Sequence, residues 1–195
     1  MEDVKKAYTH FHKTRTTQHN YPTEWVIRTL LGSYPNLKID KSAYSGGHAL
    51  DLGFGDGRNI QLLTNCGFFV SGVEITQEIC DDVSAMLGAK GVNVTLKVGT
   101  NHNIPFEDSS FDFVLASSSC YYVDQGYSFL DNIKEISRVL KPGGYLVANF
   151  PLFARLNGIE ESFILKNCEF LPDGHIIVQN DIYGIRNGYR FRAFS

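Results

Sequence analysis

Two acidic residues and one glycine-rich turn carry the most chemistry in this chain. Asp51 is followed by Leu52-Gly53-Phe54-Gly55-Asp56-Gly57-Arg58, so three glycines alternate immediately after a carboxylate. Glycine lets the backbone turn through positive φ and lets a ligand approach it closely. The dinucleotide fingerprint G-x-G-x-x-G fails in both frames, because its last glycine falls on Arg58 or on Ile60. A carboxylate at this place repels a pyrophosphate and attracts an ammonium or sulfonium group. A second acid, Glu74, closes the next apolar run, Phe68–Ile75. A strand-end carboxylate can accept both hydroxyls of a ribose diol. Together the two features describe a nucleoside site with a cationic arm.

Further segments extend the pattern. Val98-Gly99-Thr100-Asn101-His102-Asn103-Ile104-Pro105-Phe106 leads into Glu107-Asp108-Ser109-Ser110-Phe111-Asp112, and Arg138-Val139-Leu140-Lys141-Pro142-Gly143-Gly144 follows. With Asp51-x-Gly53-x-Gly55-x-Gly57 and Glu74, these segments resemble, in order, the motifs of class I S-adenosylmethionine-dependent methyltransferases. The nearest branch is the type-11, ubiquinone/menaquinone methyltransferase-like one. The resemblance runs over roughly residues 48–150. It implies a Rossmann-like αβα sandwich and S-adenosylmethionine as cofactor, with S-adenosylhomocysteine as product. By position it implies that Asp51, Gly53, Phe54, Gly55 and Gly57 surround the methionyl part. Glu74 would bind the ribose, and Ile75 would pack on the adenine. Thr100 and Asn101 would sit at the adenine edge, and Ser117 beside the methionyl moiety.

Two positions depart from that pattern. Thr100 stands where relatives usually carry an aspartate, so its bond to the adenine amino group lacks a charge. Tyr121-Tyr122 stands where many carry histidines, which removes an obvious general base. Methyl transfer needs an aligned nucleophile above all, and needs a base only if the acceptor must lose a proton. The acceptor is expected to be a small molecule, including sugar-derived ones, and its identity is not written in the sequence. A non-catalytic S-adenosylmethionine- or S-adenosylhomocysteine-binding module is the alternative. A nicotinamide-dependent oxidoreductase is the rival that the failed fingerprint argues against.

These residues need strands and helices to hold them. His48–Phe54, Phe68–Ile75, Asn93–Val98, Phe111–Ser117 and Tyr145–Phe150 read as strands. Helices are expected over residues 58–66, from an N-cap at Thr76 to Gly88, and over 129–140, where Phe129, Ile133, Ile136 and Leu140 keep helical spacing. Strands alternating with helices give a parallel sheet covered on both faces, an α/β fold. Before it, Val4, Ala7, Tyr8 and Phe11 form a helical preface. Thr14–Asn20 reads as a loop, and a helix from Pro22 stops at Gly32. After it, Phe163–Phe170 and Ile176–Asn180 flank the turn Leu171-Pro172-Asp173-Gly174-His175, which suggests a hairpin. The family's sheet has seven strands, of which five are evident. Either that hairpin is an atypical terminal pair or the chain is a shortened form. One domain is expected: a helical cap over 1–45, a cofactor-binding core over 46–151 and a substrate-side segment over 152–195.

The chain has 195 residues, 43% of them hydrophobic, and a net charge of −3 from 18 basic and 21 acidic residues. That balance argues against disorder and against holding nucleic acid by bulk positive charge. No apolar run reaches the roughly 18 residues of a membrane span, and no secretory signal opens the chain, so a cytoplasmic protein is expected. Cys66, Cys80, Cys120 and Cys168 form no C-x-x-C pair, which leaves no metal site or disulfide framework to expect. His10, His12, His19 and His102 read as surface or loop residues. Tyr121 and Tyr122 read as packing or lining groups, and Arg186, Arg190 and Arg192 as a solvated strand face.

Overall fold

The structure is a computed structural model that describes residues 5–6, 8–12, 21–32, 39–150, 168–179 and 189–192. The expected loop at 14–20, the start of the first tail strand, His19 and Arg186 lie outside those residues. Five strands form one parallel sheet: β1 (His48–Leu52), β2 (Phe69–Glu74), β3 (Thr95–Val98), β4 (Phe111–Ala116) and β5 (Leu140–Ala148). Their spatial order is β3-β2-β1-β4-β5, and every pairing is parallel. The order reverses between β1 and β4, which makes the carboxyl ends of these strands the natural ligand crevice.

Alternating residues send the two sheet faces into separate cores. Ala49, Val70, Phe113 and Leu115 pack on one side with α2 (Glu24–Leu31), α3 (Ile60–Asn65) and α4 (Gln77–Gly88). Leu50, Leu52, Val114 and Ala116 pack on the other with Ile136 and Val139 of α5 (Phe129–Val139). Both faces are thus covered, as the apolar runs require. Thr76 caps α4 as expected, its hydroxyl accepting from the amide of Ile79 at 3.4 Å. Ser128 and Asp131 form a reciprocal capping box at the start of α5.

Two boundaries differ from the sequence reading. Pro22 precedes α2 rather than entering it, with Thr23 at the N-cap. Lys141-Pro142-Gly143-Gly144 does not separate α5 from its strand, because β5 begins at Leu140 and runs through it. Proline is tolerated because β5 is an edge strand. Its register with β4 shifts between Phe111 and Phe113, and Gly143 adopts a φ of +82°.

The tail forms the expected hairpin, but as a sheet of its own. β6 (Cys168–Phe170) and β7 (His175–Val178) pair antiparallel, and β8 (Arg190–Arg192) joins β7. This small sheet docks on the segment leaving β4. The amide of Val123 donates to the Arg190 carbonyl at 2.9 Å, and that of Arg192 to the Tyr121 carbonyl at 3.1 Å. Arg190 and Arg192 are engaged rather than solvated. Arg190 pairs with Asp173 and donates to the Tyr127 carbonyl, and Arg192 donates to the Asp173 carbonyl. A short helical segment, α1, is described over residues 8–12. Among the described residues no helix is long and apolar enough to cross a membrane.

Candidate functional site

Asp51 is the most unusual group in the structure. It is 1% exposed, and neither carboxylate oxygen has a hydrogen-bond partner among the described residues. Burial, with Glu74 and Asp56 nearby, pushes its carboxyl up to about 8. A buried, unanswered acid is costly and marks a place where a ligand donor fits. The turn after it is built for close approach: Gly53, Gly55 and Gly57 all have positive φ, at 71°, 56° and 72°. Arg58, the cation within the turn, is taken by Asp56. The Phe54 side chain is buried in the core beside Gly72.

Glu74 is 2% exposed and is held from three directions. Its Oε1 accepts from the Gly55 amide at 3.2 Å and from the Tyr8 hydroxyl at 3.1 Å. Its Oε2 accepts from the Ile75 amide at 2.7 Å. Burial raises its proton affinity, and these three bonds partly oppose that rise.

The loops after β3 and β4 complete the crevice. The Thr100 hydroxyl lies 3.3 Å from the ring nitrogens of His102. The Asn101 amide nitrogen donates to the carbonyls of Ser119 and Tyr122 at 3.0 and 3.1 Å, so this side chain braces one loop against the other. Asn132, fully buried on α5, donates to the same Tyr122 carbonyl at 2.8 Å and to Cys120 at 3.0 Å. Ser117 is half-buried at the end of β4. Ser119 donates to the Leu52 carbonyl and touches Gly53 closely. Cys120 is buried and its thiol is pushed up to about 12, which makes it inert at neutral pH.

Several participants carried no sequence signal. Tyr8, Thr9 and His12 of α1 lie across the turn. Thr9 and Thr76 hydroxyls are 3.3 Å apart, and a Cβ built on Gly55 would stand 2.6 Å from the His12 ring. His12 is therefore buried, not a surface residue. Tyr189, carried in by β8 pairing, contacts the rings of Tyr8 and Tyr122 edge-on, with centroids 6.4 and 5.0 Å apart. Tyr121 and Tyr122 pack with Ile176 and Val178, as local packing groups. His102 stacks on Tyr127 and pairs with Asp124 at 3.2 Å. Among the described residues no cluster of His, Cys, Asp and Glu could hold a metal ion.

Comparison with known proteins places this geometry in context. A family model described as a methyltransferase domain matches residues 50–148. The O-methyltransferase resE of Aspergillus sclerotiorum is 30% identical over 108 residues, 54% of this chain and 40% of that protein. The demethylmenaquinone methyltransferase of Staphylococcus epidermidis is 30% identical over 102 residues, 49% of this chain and 41% of that one. The chain thus spans about two fifths of the length of these curated relatives. Among solved structures, the PH0226 protein of Pyrococcus horikoshii OT3 is similar with a TM-score of 0.54 at 25% identity, over 77% of this chain and 68% of that one.

Proposed function

Because the chain belongs to the methyltransferase domain family, we propose that it binds S-adenosylmethionine at the Asp51–Glu74 end of its sheet and directs methyl transfer to a small-molecule acceptor. The observation that carries this reading is Asp51, whose two buried carboxylate oxygens have no donor among the described residues, at the start of a turn whose three glycines take positive φ. An ammonium group answers that deficit, whereas a pyrophosphate would worsen it. The residues therefore fit an amino-acid-bearing nucleoside better than a dinucleotide.

S-adenosylmethionine, when bound, supplies a methyl group activated by its sulfonium centre. The chain's own residues bind, orient and exclude water. Asp51 and the backbone of Gly53, Phe54, Gly55 and Gly57 hold the methionyl end, and Glu74 accepts from the ribose. Ile75 offers the apolar contact for the adenine. Thr100 and Asn101 stand at its edge, and Ser117 borders the methionyl side. Tyr8, Tyr122 and Tyr189 wall the opposite side, and keeping water out strengthens every polar contact within. A small acceptor agrees with the near-neutral charge balance and with the two relatives, which are named for O-methylation and for demethylmenaquinone.

Calorimetric titration with S-adenosylhomocysteine tests the reading, with NADH and the variants Asp51→Ala and Glu74→Ala as controls. Saturable binding that both variants weaken by at least tenfold is expected. NADH binding in preference to S-adenosylhomocysteine would sink it.

A further inference from the structure

Glu74 accepts one donor too many to receive a ribose diol. An ionised carboxylate offers about four lone-pair sites, two on each oxygen. The Gly55 amide takes one on Oε1 and the Ile75 amide takes one on Oε2. Those two bonds come from the backbone of the turn and of the strand end, so they persist whatever α1 does. Left alone, they leave one site on each oxygen, which matches the two hydroxyls of a cis-diol. The Tyr8 hydroxyl removes that match, because it fills the second site on Oε1 at 3.1 Å.

We propose that the Tyr8 hydroxyl is a built-in competitor for the ribose diol, so that α1 is a latch that must release Glu74 before a nucleoside is fully held. The proposal rests on the nucleoside-site reading above. Three contacts seat the latch: the Thr9–Thr76 hydroxyl pair, the His12 ring lying on Gly55, and the Tyr8 ring against Tyr189. The first two sit on the segments that follow Glu74 and Asp51. The third is made by Tyr189, the residue just before β8, so release of Tyr8 also frees α1 from the small sheet docked on the β4 exit. Opening the nucleoside site and loosening the wall beside it are one movement.

The test is calorimetric titration of wild type, Tyr8→Phe and Thr9→Val with S-adenosylhomocysteine, alongside circular dichroism of each. Tyr8→Phe keeps the ring and its packing while deleting the competing donor, and about tenfold tighter binding is expected. Thr9→Val loosens α1 without touching Glu74 and should tighten binding by about threefold. It decides the matter if Tyr8→Phe does not fold. Affinity in the folded variants equal to or weaker than wild type overturns the latch while leaving the nucleoside site standing. Absence of binding by wild type and both variants overturns the site reading itself, and the latch with it.

Discussion

Asp51 and Glu74 lie near the ends of neighbouring parallel strands, both buried, yet Glu74 collects three hydrogen bonds and the Asp51 carboxylate has none among the described residues. The two acids therefore have different tasks. Glu74 is stabilised as an acceptor in a fixed orientation. The described residues offer no donor to an ionised Asp51, and burial beside Glu74 and Asp56 leaves its proton in place.

That asymmetry sets a stability profile. The Asp51 carboxyl is raised from an ordinary 3.8 to about 8 in the folded chain. Between those values the unfolded chain releases the proton and the folded chain keeps it. Stability therefore falls as pH rises from about 4 to 8 and levels off above, with a slope of up to about 1.4 kcal/mol per pH unit. Asp51→Asn removes this dependence. Thermal melts should show the variant gaining on wild type by several degrees more at pH 8 than at pH 5, and a gain independent of pH would refute the assignment.

Ligand binding should carry the same signature in reverse. An ammonium group beside Asp51 favours its ionised form, so binding at neutral pH expels the proton. Titrations with S-adenosylhomocysteine in buffers of different ionisation enthalpy should report release of close to one proton at pH 7. Affinity should climb between pH 6 and 8, and Asp51→Asn should abolish both effects.

The fold was legible because its signals are local. Apolar runs, the Thr76 cap and the spacing from Phe129 to Leu140 each act within one element, and the first four strands of the main sheet fall where the pattern puts them, while β5 starts earlier than expected, at Leu140. The glycine turn and Glu74 were legible for the same reason, since both lie at strand ends. What stayed hidden is contact made at long range. Tyr8 reaches Glu74 across 66 residues, and Tyr189 arrives only because β8 pairs with the β4 exit. Asn101 illustrates a subtler limit. Its position beside the crevice was readable, but its bracing of the Ser119 and Tyr122 carbonyls depends on a loop 18 to 21 residues away. Phe54 was assigned by its neighbours in the motif, although its large apolar side chain belongs to the core.

Gly53 is the turn glycine with least room to change. Its φ is +71°, and a Cβ there would stand 2.5 Å from the Cβ of Ser119, whose hydroxyl is tied to Leu52. Gly53→Ala combines backbone strain with a clash against a fixed loop, so a loss of about 1–3 kcal/mol is expected in denaturant unfolding. Gly46 provides the control. It has a φ of +78° but nothing within 4 Å of a built Cβ, so Gly46→Ala isolates strain from clash. Equal losses at both positions would mean that Ser119 yields.

Arg138 fastens the segment that follows β3 to α5. Its guanidinium donates to the carbonyls of Ile104 at 2.8 Å and Phe106 at 2.9 Å, and to Asp108 at 2.6 Å. It also grips both oxygens of Glu135, at 2.7 and 2.9 Å, while Glu135 accepts from the Ile104 amide at 2.8 Å. The Asp108 bond contributes little, because that carboxylate is 77% exposed. The carbonyl bonds matter more, since losing them leaves backbone acceptors of a folded loop without a donor. Arg138→Ala should lower unfolding free energy by about 2–3 kcal/mol, whereas Asp108→Ala should cost under about 0.5 kcal/mol. Arg138→Lys should recover less than half of the loss, because an ammonium cannot serve two carbonyls and a bidentate carboxylate together. Full recovery by lysine would show that charge, not the guanidinium fork, holds the loop.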